Sequence, residues 1–194
     1  MEIKTVRLGR EMAESYLDFF DHRAFSDGNI QKGCYCVWHH WTEKHEYERS
    51  LLPGDERPFV KRAFAEELIR KGLLNGFAAF CGEQMIGFCN ADDKANYFRL
   101  NEEKAPNARS NNRVFSVVCF TVAPEMRGKG AATALLGHAC RYAEENGYDF
   151  IEGYPPHGDF TVSDCGGPAS LYRKQGFEIV GIPGGIIARK KLRQ

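Results

Sequence analysis

A mixed α/β domain is what the sequence predicts, on three observations. Residues 114–122 form an apolar run of strand-favouring residues broken only by Ser116 and Thr121, and a strand without alternation has to be covered on both faces. Helix-period segments lie at 59–72 and 131–145. Short apolar runs bounded by turn residues lie at 76–81, 85–90, 177–182 and 186–192. The 194 residues are close to the roughly 150 of one domain and leave too little for a second core, so 1–194 reads as a single unit.

The elements follow in order from periodicity and punctuation. Ile3, Val6 and Leu8 begin a short strand, and residues 11–20 set Met12, Tyr16, Leu17 and Phe20 at helical spacing. Residues 26–58 show no regular period. Val60, Ala63, Phe64, Leu68 and Ile69 restore the 3.6-residue period, which stops at Gly72, a residue suited to helix C-termini. The runs 76–81 and 85–90, separated by Gly82, Glu83 and Gln84, predict an antiparallel hairpin with a three-residue loop. Residues 94–113 are polar and read as a long loop before strand 114–122. Ala131, Leu135, Ala139 and Tyr142 give an amphipathic helix over 131–145, with Gly147 beyond it. Phe150 and Ile151 give a short strand, 154–168 a Gly/Pro-rich loop, 169–175 a short helix closed by Gly176, and 177–182 with 186–192 a closing hairpin.

Charge and cysteine usage narrow the partners. Lys plus Arg and Asp plus Glu number 26 each, so the surplus of cations that displaces counterions from nucleic acid is missing, and no nucleic acid is expected. The run Arg189, Lys190, Lys191, Leu192, Arg193 is short and reads as a solvated strand end. No apolar run approaches the ~18 residues that cross a bilayer, and Glu2, Arg7, Arg10, Glu11, Glu14 and Asp18 interrupt the stretch where a signal peptide would be apolar. A cytoplasmic protein without a membrane partner is expected. Seven cysteines, an odd number with several in apolar runs, read as reduced thiols rather than a disulfide framework.

The most specific feature follows strand 114–122: Ala123, Pro124, Glu125, Met126, Arg127, Gly128, Lys129, Gly130, Ala131, Ala132, Thr133. Pro124 stops the ladder. Gly128 and Gly130, lacking a Cβ, let the backbone take positive φ and leave the first amides of the next helix facing open space. A pyrophosphate meets several such amides at once. The helix dipole adds about 0.3–1 kcal/mol, Arg127 and Lys129 add charge, and Thr133 adds a hydroxyl. A solvated helix start is the plainer reading of a bare Gly-x-Gly, but the strand before, the helix after and the flanking cations weigh against it. No Lys-Ser/Thr pair closes the stretch, which excludes a Walker-type loop. Thr133 stands where a dinucleotide turn needs its third glycine.

At these residues the chain resembles the GNAT superfamily of acetyl-coenzyme A-dependent N-acetyltransferases. Their signature Gln/Arg-x-x-Gly-x-Gly/Ala is met by Arg127, Gly128, Lys129, Gly130, Ala131 and Ala132; in the register beginning at Glu125, glutamate replaces glutamine. Leu171, Tyr172, Arg173, Lys174, Gln175, Gly176 and Phe177 resemble the family's Leu/Phe-Tyr-x-Lys-x-Gly-Phe segment. The likeness covers residues 76–182, while 20–60 correspond to a variable acceptor-side region. It implies a mostly antiparallel central sheet of six to seven strands, helices on both faces, and a splayed parallel pair formed by 114–122 and 150–152. It also implies acetyl-coenzyme A as co-substrate, direct attack by a primary amine in a ternary complex, and a monomer or homodimer.

The resemblance assigns roles residue by residue. Backbone groups of Phe120, Thr121 and Val122 would face pantetheine and the thioester, one amide polarising the carbonyl. Arg127, Gly128, Lys129, Gly130, Ala131, Ala132 and Thr133 would hold the diphosphate. Tyr172 would be the general acid, a phenol near pKa ~10 that keeps its proton at neutral pH; from the residues alone it is a core aromatic beside Leu171 and Phe177. The strand position where some relatives carry a glutamate base falls on Val114. Glu152, at the end of the neighbouring strand, is then the candidate base, with Asp92 and Asp93 as alternatives; each also reads as a solvated strand-end carboxylate. Cys119 reads as packing, since direct transfer needs no protein nucleophile.

Both tryptophans lie in Cys34, Tyr35, Cys36, Val37, Trp38, His39, His40, Trp41. Aromatic faces hold cationic or amphipathic amines, and the resemblance puts this region at the acceptor mouth. Cys34, Tyr35, Trp38, Trp41 and Tyr154 are therefore the expected substrate contacts; a hydrophobic plug is the alternative. Cys34, Cys36, His39 and His40 are badly spaced for zinc and lack a distant second pair, so no metal is expected. The acceptor is a small-molecule or protein amine. A non-catalytic acyl-coenzyme A sensor would keep the donor site without turnover, and a nucleotide-binding oxidoreductase would need a ribose-binding acid the sequence does not offer.

Overall fold

The computed structural model describes residues 2–29, 31–54, 56–102, 112–159, 161 and 164–193. Strands β1 (Lys4–Arg7), β2 (Gly76–Cys81), β3 (Gln84–Asp93), β4 (Val114–Val122), β5 (Phe150–Gly153), β6 (Glu178–Ile182) and β7 (Gly185–Lys191) form one sheet in the order β1-β2-β3-β4-β5-β7-β6. Every neighbouring pair is antiparallel except β4 and β5. The helices are α1 (Ala13–Asp18), α2 (Glu43–Ser50), α3 (Arg57–Lys71), α4 (Phe98–Glu102), α5 (Ala131–Glu145) and α6 (Ala169–Lys174). Among the described residues no helix is long and apolar enough to cross a membrane.

The strand without alternation is covered on both faces, as its composition requires. Helix α5 buries Leu135, Leu136, Ala139 and Ala143, and its His138 and Tyr142 rings pack on Phe77. The opposite face, marked by Phe88, receives Tyr16 of α1 and Phe20 of the π-helical turn Phe19–Arg23 that continues α1. Alternation along β2 and β3 sets the two apart, because Phe77 pairs with Cys89 rather than Phe88.

A bulge positions the site. Asn90 pairs with Cys119 but Ala91 pairs with Val117, so Val118 is an extra residue on β4. The parallel ladder to β5 runs only over Val114–Val117, so the bend of a bulged strand falls where that ladder ends. Beyond it, the Phe120 amide donates not to β5 but to the Cys165 carbonyl, at 2.7 Å.

Several boundaries differ from the sequence reading, for local reasons. Residues 26–58 contain a 3-10 turn, Trp38–His40, and α2. Helix α2 buries none of its side chains, so it has no apolar period to betray it; Thr42 caps it, with His45 Nδ1 accepting from the Thr42 amide at 3.1 Å. The β2–β3 turn is two residues, Gly82 and Glu83, because Gln84 already pairs with Cys81, and β3 extends to Asp93. Asp93 Oδ1 then accepts from the Ala95 amide at 3.0 Å to start the 3-10 turn Lys94–Asn96, followed by α4. The rest of the expected 94–113 loop, up to residue 111, lies outside the described residues. The basic run near residue 190 is no free solvated end: Arg189 bonds Glu152 and Lys190 Nζ donates to the Gln175 carbonyl at 3.1 Å.

Candidate active site

The turn between β4 and α5 is open and rich in donors. Gly128 and Gly130 have φ of 72° and 91°, and a Cβ built on either meets nothing within 4 Å. Helix α5 starts at Ala131, and its first acceptor, the Gly130 carbonyl, takes the Ala134 amide at 2.9 Å. The amides of Gly128, Gly130, Ala131, Ala132 and Thr133 have no backbone partner among the described residues. A cavity of 350 Å³ lies in front of them, walled by Val122, Arg127 and Thr133 on one side and by Pro168, Ser170 and Lys174 on the other. Ser170 and Lys174, one helical turn apart on α6, are site residues that the sequence reading did not assign; their spacing next to Tyr172 was the available signal. Lys129 is exposed and does not line this cavity. Arg127 does, and its Nη1 also bonds Asp27 Oδ2 at 2.5 Å, which holds the Asp27 carboxyl below the usual range.

From the turn a groove follows β4. A 180 Å³ cavity lined by Phe120, Val122, Ala132 and Gly167 shares Val122, Arg127, Ala132, Pro168 and Leu171 with the first. A narrow passage past Phe25 and Thr121 then opens into a chamber of 520 Å³. Four cysteines, Cys34, Cys36, Cys119 and Cys165, line both passage and chamber.

Tyr172 sits where β4 and β5 separate, fully buried. Its hydroxyl donates to the Gly166 carbonyl at 2.7 Å, and its ring packs on Phe120 and Phe177. A Cβ on Gly153 would lie 2.1 Å from Tyr172 Cε1, so the last residue of β5 must be glycine for the ring to fit. Burial pushes the phenol well above its ordinary pKa. The Phe120 amide and the Tyr172 hydroxyl are thus both engaged by carbonyls of one segment, those of Cys165 and Gly166.

Glu152 is not a solvated strand-end carboxylate. Its side chain is fully buried, with Oε2 accepting from Lys94 Nζ at 2.7 Å and the Tyr154 hydroxyl at 3.1 Å, and Oε1 from Arg189 Nε at 2.7 Å. Burial pushes its pKa up, but the hydrogen bonds and charges of Lys94 and Arg189 outweigh that and hold it below the usual range. A carboxylate so paired makes a poor proton acceptor. Asp92 accepts from the side-chain amides of Asn75 and Asn96 at 2.9 and 2.8 Å.

Two consecutive non-glycine residues, Tyr35 and Cys36, have φ of 48°, a conformation costing about 1–2 kcal/mol per residue. Buried side chains hold them there: the Tyr16 hydroxyl donates to the Tyr35 carbonyl, and Asn90 Nδ2 to the Cys36 carbonyl, both at 2.7 Å. Asn90 Oδ1 in turn accepts from the Tyr97 hydroxyl. Tyr16 and Asn90 were not anticipated, because partners 19 or more residues away in sequence leave no local pattern.

This bend separates the five expected acceptor contacts. Cys34 and Trp38 line the chamber. Tyr35 turns inward, its hydroxyl donating to Asp21 at 2.5 Å. Trp41 is fully buried, its Nε1 donating to Glu46 Oε2 at 2.9 Å. Tyr154 bonds Ser116 at 2.8 Å beside Glu152. These three are held in the packed interior rather than on the chamber wall.

The chamber also holds His39, Lys61 and Asp164. Burial depresses His39 and His40 to about 4, so both imidazoles are neutral at pH 7, and His39 Nδ1 has no partner among the described residues. Cys36 Sγ lies 2.8 Å from Cys119 Sγ and 3.2 Å from Thr121 Oγ1. Burial raises the pKa of Cys34 and Cys36; at Cys165 the Cys119 hydrogen bond and then burial do the same. No three His, Cys, Asp or Glu side chains among the described residues are placed to hold a metal ion.

Comparison with known proteins decides the family. A family model described as an acetyltransferase (GNAT) domain matches residues 74–179. The chain belongs to the GNAT acetyltransferase family. This GNAT acetyltransferase is an acyl-transfer enzyme, and the match contains both the Gly128–Gly130 turn and Tyr172. The crystal structure of PH1933 from Pyrococcus horikoshii OT3 is 21% identical, covers 100% of both chains and superposes with a TM-score of 0.56. PaiA N-acetyltransferase from Thermoplasma acidophilum, in complex with coenzyme A, is 19% identical over 98% of this chain and 99% of its own, with a TM-score of 0.55. Drosophila melanogaster polyamine N-acetyltransferase, which forms N-acetylagmatine, is 10% identical over 98% and 100%, with a TM-score of 0.58. At these identities the likeness establishes the fold. A search of curated protein sequences gives no match.

Proposed function

We propose that this enzyme transfers an acetyl group from acetyl-coenzyme A to a primary amine by direct attack in a ternary complex. The observation that carries the reading is continuity: an anion-binding turn opens into a groove along β4 that ends in a separate chamber. The amides of Gly128 and of residues 130–133, without a backbone partner among the described residues, and the Lys174 side chain suit a diphosphate, and the edge of β4 at Phe120 and Val122 suits pantetheine. Acetyl-coenzyme A supplies the acetyl group as a thioester.

The protein's part in the chemistry falls to few groups. The Phe120 amide and the Tyr172 hydroxyl, now bonded to the Cys165 and Gly166 carbonyls, exchange those partners for the thioester oxygen and sulfur when residues 165–167 give way. The amide stabilises charge developing on oxygen. Tyr172, kept protonated by burial, donates its proton to the departing sulfur. Glu152 anchors Lys94, Tyr154 and Arg189 rather than acting as base. His39 lines the chamber but, depressed to about 4, is too weak a base to take the amine's proton, which leaves to solvent. Coenzyme A thiol release with a panel of amines tests the assignment, with Tyr172→Phe as control: release that depends on both amine and Tyr172 supports it. Thermal stabilisation by coenzyme A with no release for any amine would overturn it.

A further inference from the structure

The chamber wall is unbalanced in charge. Lys61 of α3 points along the aromatic side, its Nζ 5.8 Å from the Trp38 ring and 5.7 Å from that of Trp41. Lys32 stands at the rim. Among the described residues neither lysine makes an ion pair. The carboxylate whose pKa Lys61 helps to depress, Glu46, is already taken by Arg49 and the Trp41 indole. A further cation flanks the mouth: the Arg99 guanidinium lies 3.8 Å from the centroid of the Trp38 ring. Against these the wall offers one carboxylate, Asp164, which accepts the Thr161 amide at 2.7 Å and its hydroxyl at 2.9 Å. The thiols and the His39 imidazole add no charge at pH 7.

An amine with a second ammonium group would meet two lysines there against the single carboxylate of Asp164. An amine with a carboxylate meets two unpaired cations and an exposed indole face that packs on its methylenes. We propose that the acceptor is a small amine bearing a carboxylate, with Lys61 and Lys32 receiving the anion and Trp38 covering the aliphatic part. This rests on the chamber being the acceptor site of the proposed transfer. The same field eases loss of a proton from the incoming ammonium.

A matched series isolates the charge: δ-aminovalerate, pentylamine and cadaverine have the same chain length and carry a carboxylate, nothing or a second ammonium. Aminopropylphosphonate separates a general anion preference from one for carboxylate. Calorimetry on the full-length protein saturated with coenzyme A should rank aminovalerate about tenfold tighter than pentylamine, with cadaverine weakest. Lys61→Gln should remove most of that advantage and Lys61→Arg should keep it. Equal or tighter binding of cadaverine, or a Lys61→Gln loss shared by all three amines, overturns the proposal; tighter phosphonate binding overturns its carboxylate assignment. Coenzyme A release, read in parallel, separates the two claims. Correct ranking without any release leaves the charge selection standing and removes the transfer reaction, whereas faster release with cadaverine does the reverse.

Discussion

Replacing Tyr172 by phenylalanine separates chemistry from packing at a single oxygen. The hydroxyl donates to the Gly166 carbonyl at 2.7 Å, and the side chain is fully buried. Phenylalanine keeps the ring contacts with Phe120, Phe177 and Gly153, so no cavity opens. It leaves a buried carbonyl without its donor, a cost of about 1–3 kcal/mol. At roughly 2–4 °C per kcal/mol for a chain of this size, the melting temperature should fall by about 2–12 °C. If the phenol is also the proton donor, kcat should fall by about 10²–10⁴ while coenzyme A affinity stays within about twofold. Thiol release is measured well below the melting point of the variant, with calorimetry for the donor. A variant that melts lower yet turns over within about threefold of wild type would refute the acid role and leave Tyr172 a packing residue.

Glu152→Gln tests anchor against base: removing the carboxylate charge that Lys94 and Arg189 bond should cost about 1–3 kcal/mol, below the fully buried case because both cations reach solvent, while kcat at a permissive temperature changes little. A kcat loss beyond about a hundredfold without destabilisation would restore it as the base. The two tryptophans should part company. Trp38→Ala, at the 46%-exposed residue, should raise the acceptor KM, whereas Trp41→Phe, at a fully buried one, should lower the melting temperature with KM unchanged; equal KM effects would contradict the placement. Acidification should destabilise the protein in a defined window. His39 and His40 are depressed to about 4 from an unfolded value near 6.5, so the unfolded chain binds more protons between those limits and stability drains as pH falls from 6.5 toward 4. Glu152, depressed below its unfolded value, adds its loss at still lower pH. Melting temperatures that stay flat from pH 6.5 to 4.5 would contradict the buried, neutral imidazoles.

The elements most legible in the sequence were those whose own side chains make the pattern. Residues 114–122 and 131–145 carry runs that fix β4 and α5 at their observed ends, and Gly128 and Gly130 adopt the left-handed turn their lack of Cβ allows. What escaped was written in distant partners. Helix α2 is held by a Thr42–His45 cap and buries none of its side chains, so periodicity could not find it. The strained Tyr35–Cys36 bend depends on Tyr16 and Asn90, and beyond it Trp38 faces the chamber while Trp41, bonded to Glu46, does not. Glu152 sits at a strand end, as read, but the side chains that neutralise it come from residues 94 and 189.

Donor binding in the proposed reaction depends on main-chain amides of the 128–133 turn gripping a diphosphate, and the most direct measurement compares ligands that differ in that group. Isothermal titration of coenzyme A and of pantetheine into the wild-type protein and Gly130→Glu should give saturable wild-type binding of coenzyme A, pantetheine weaker by on the order of a hundredfold, and little coenzyme A binding in the variant. Equal affinity for the two ligands, or a variant that binds coenzyme A as wild type does, would contradict it.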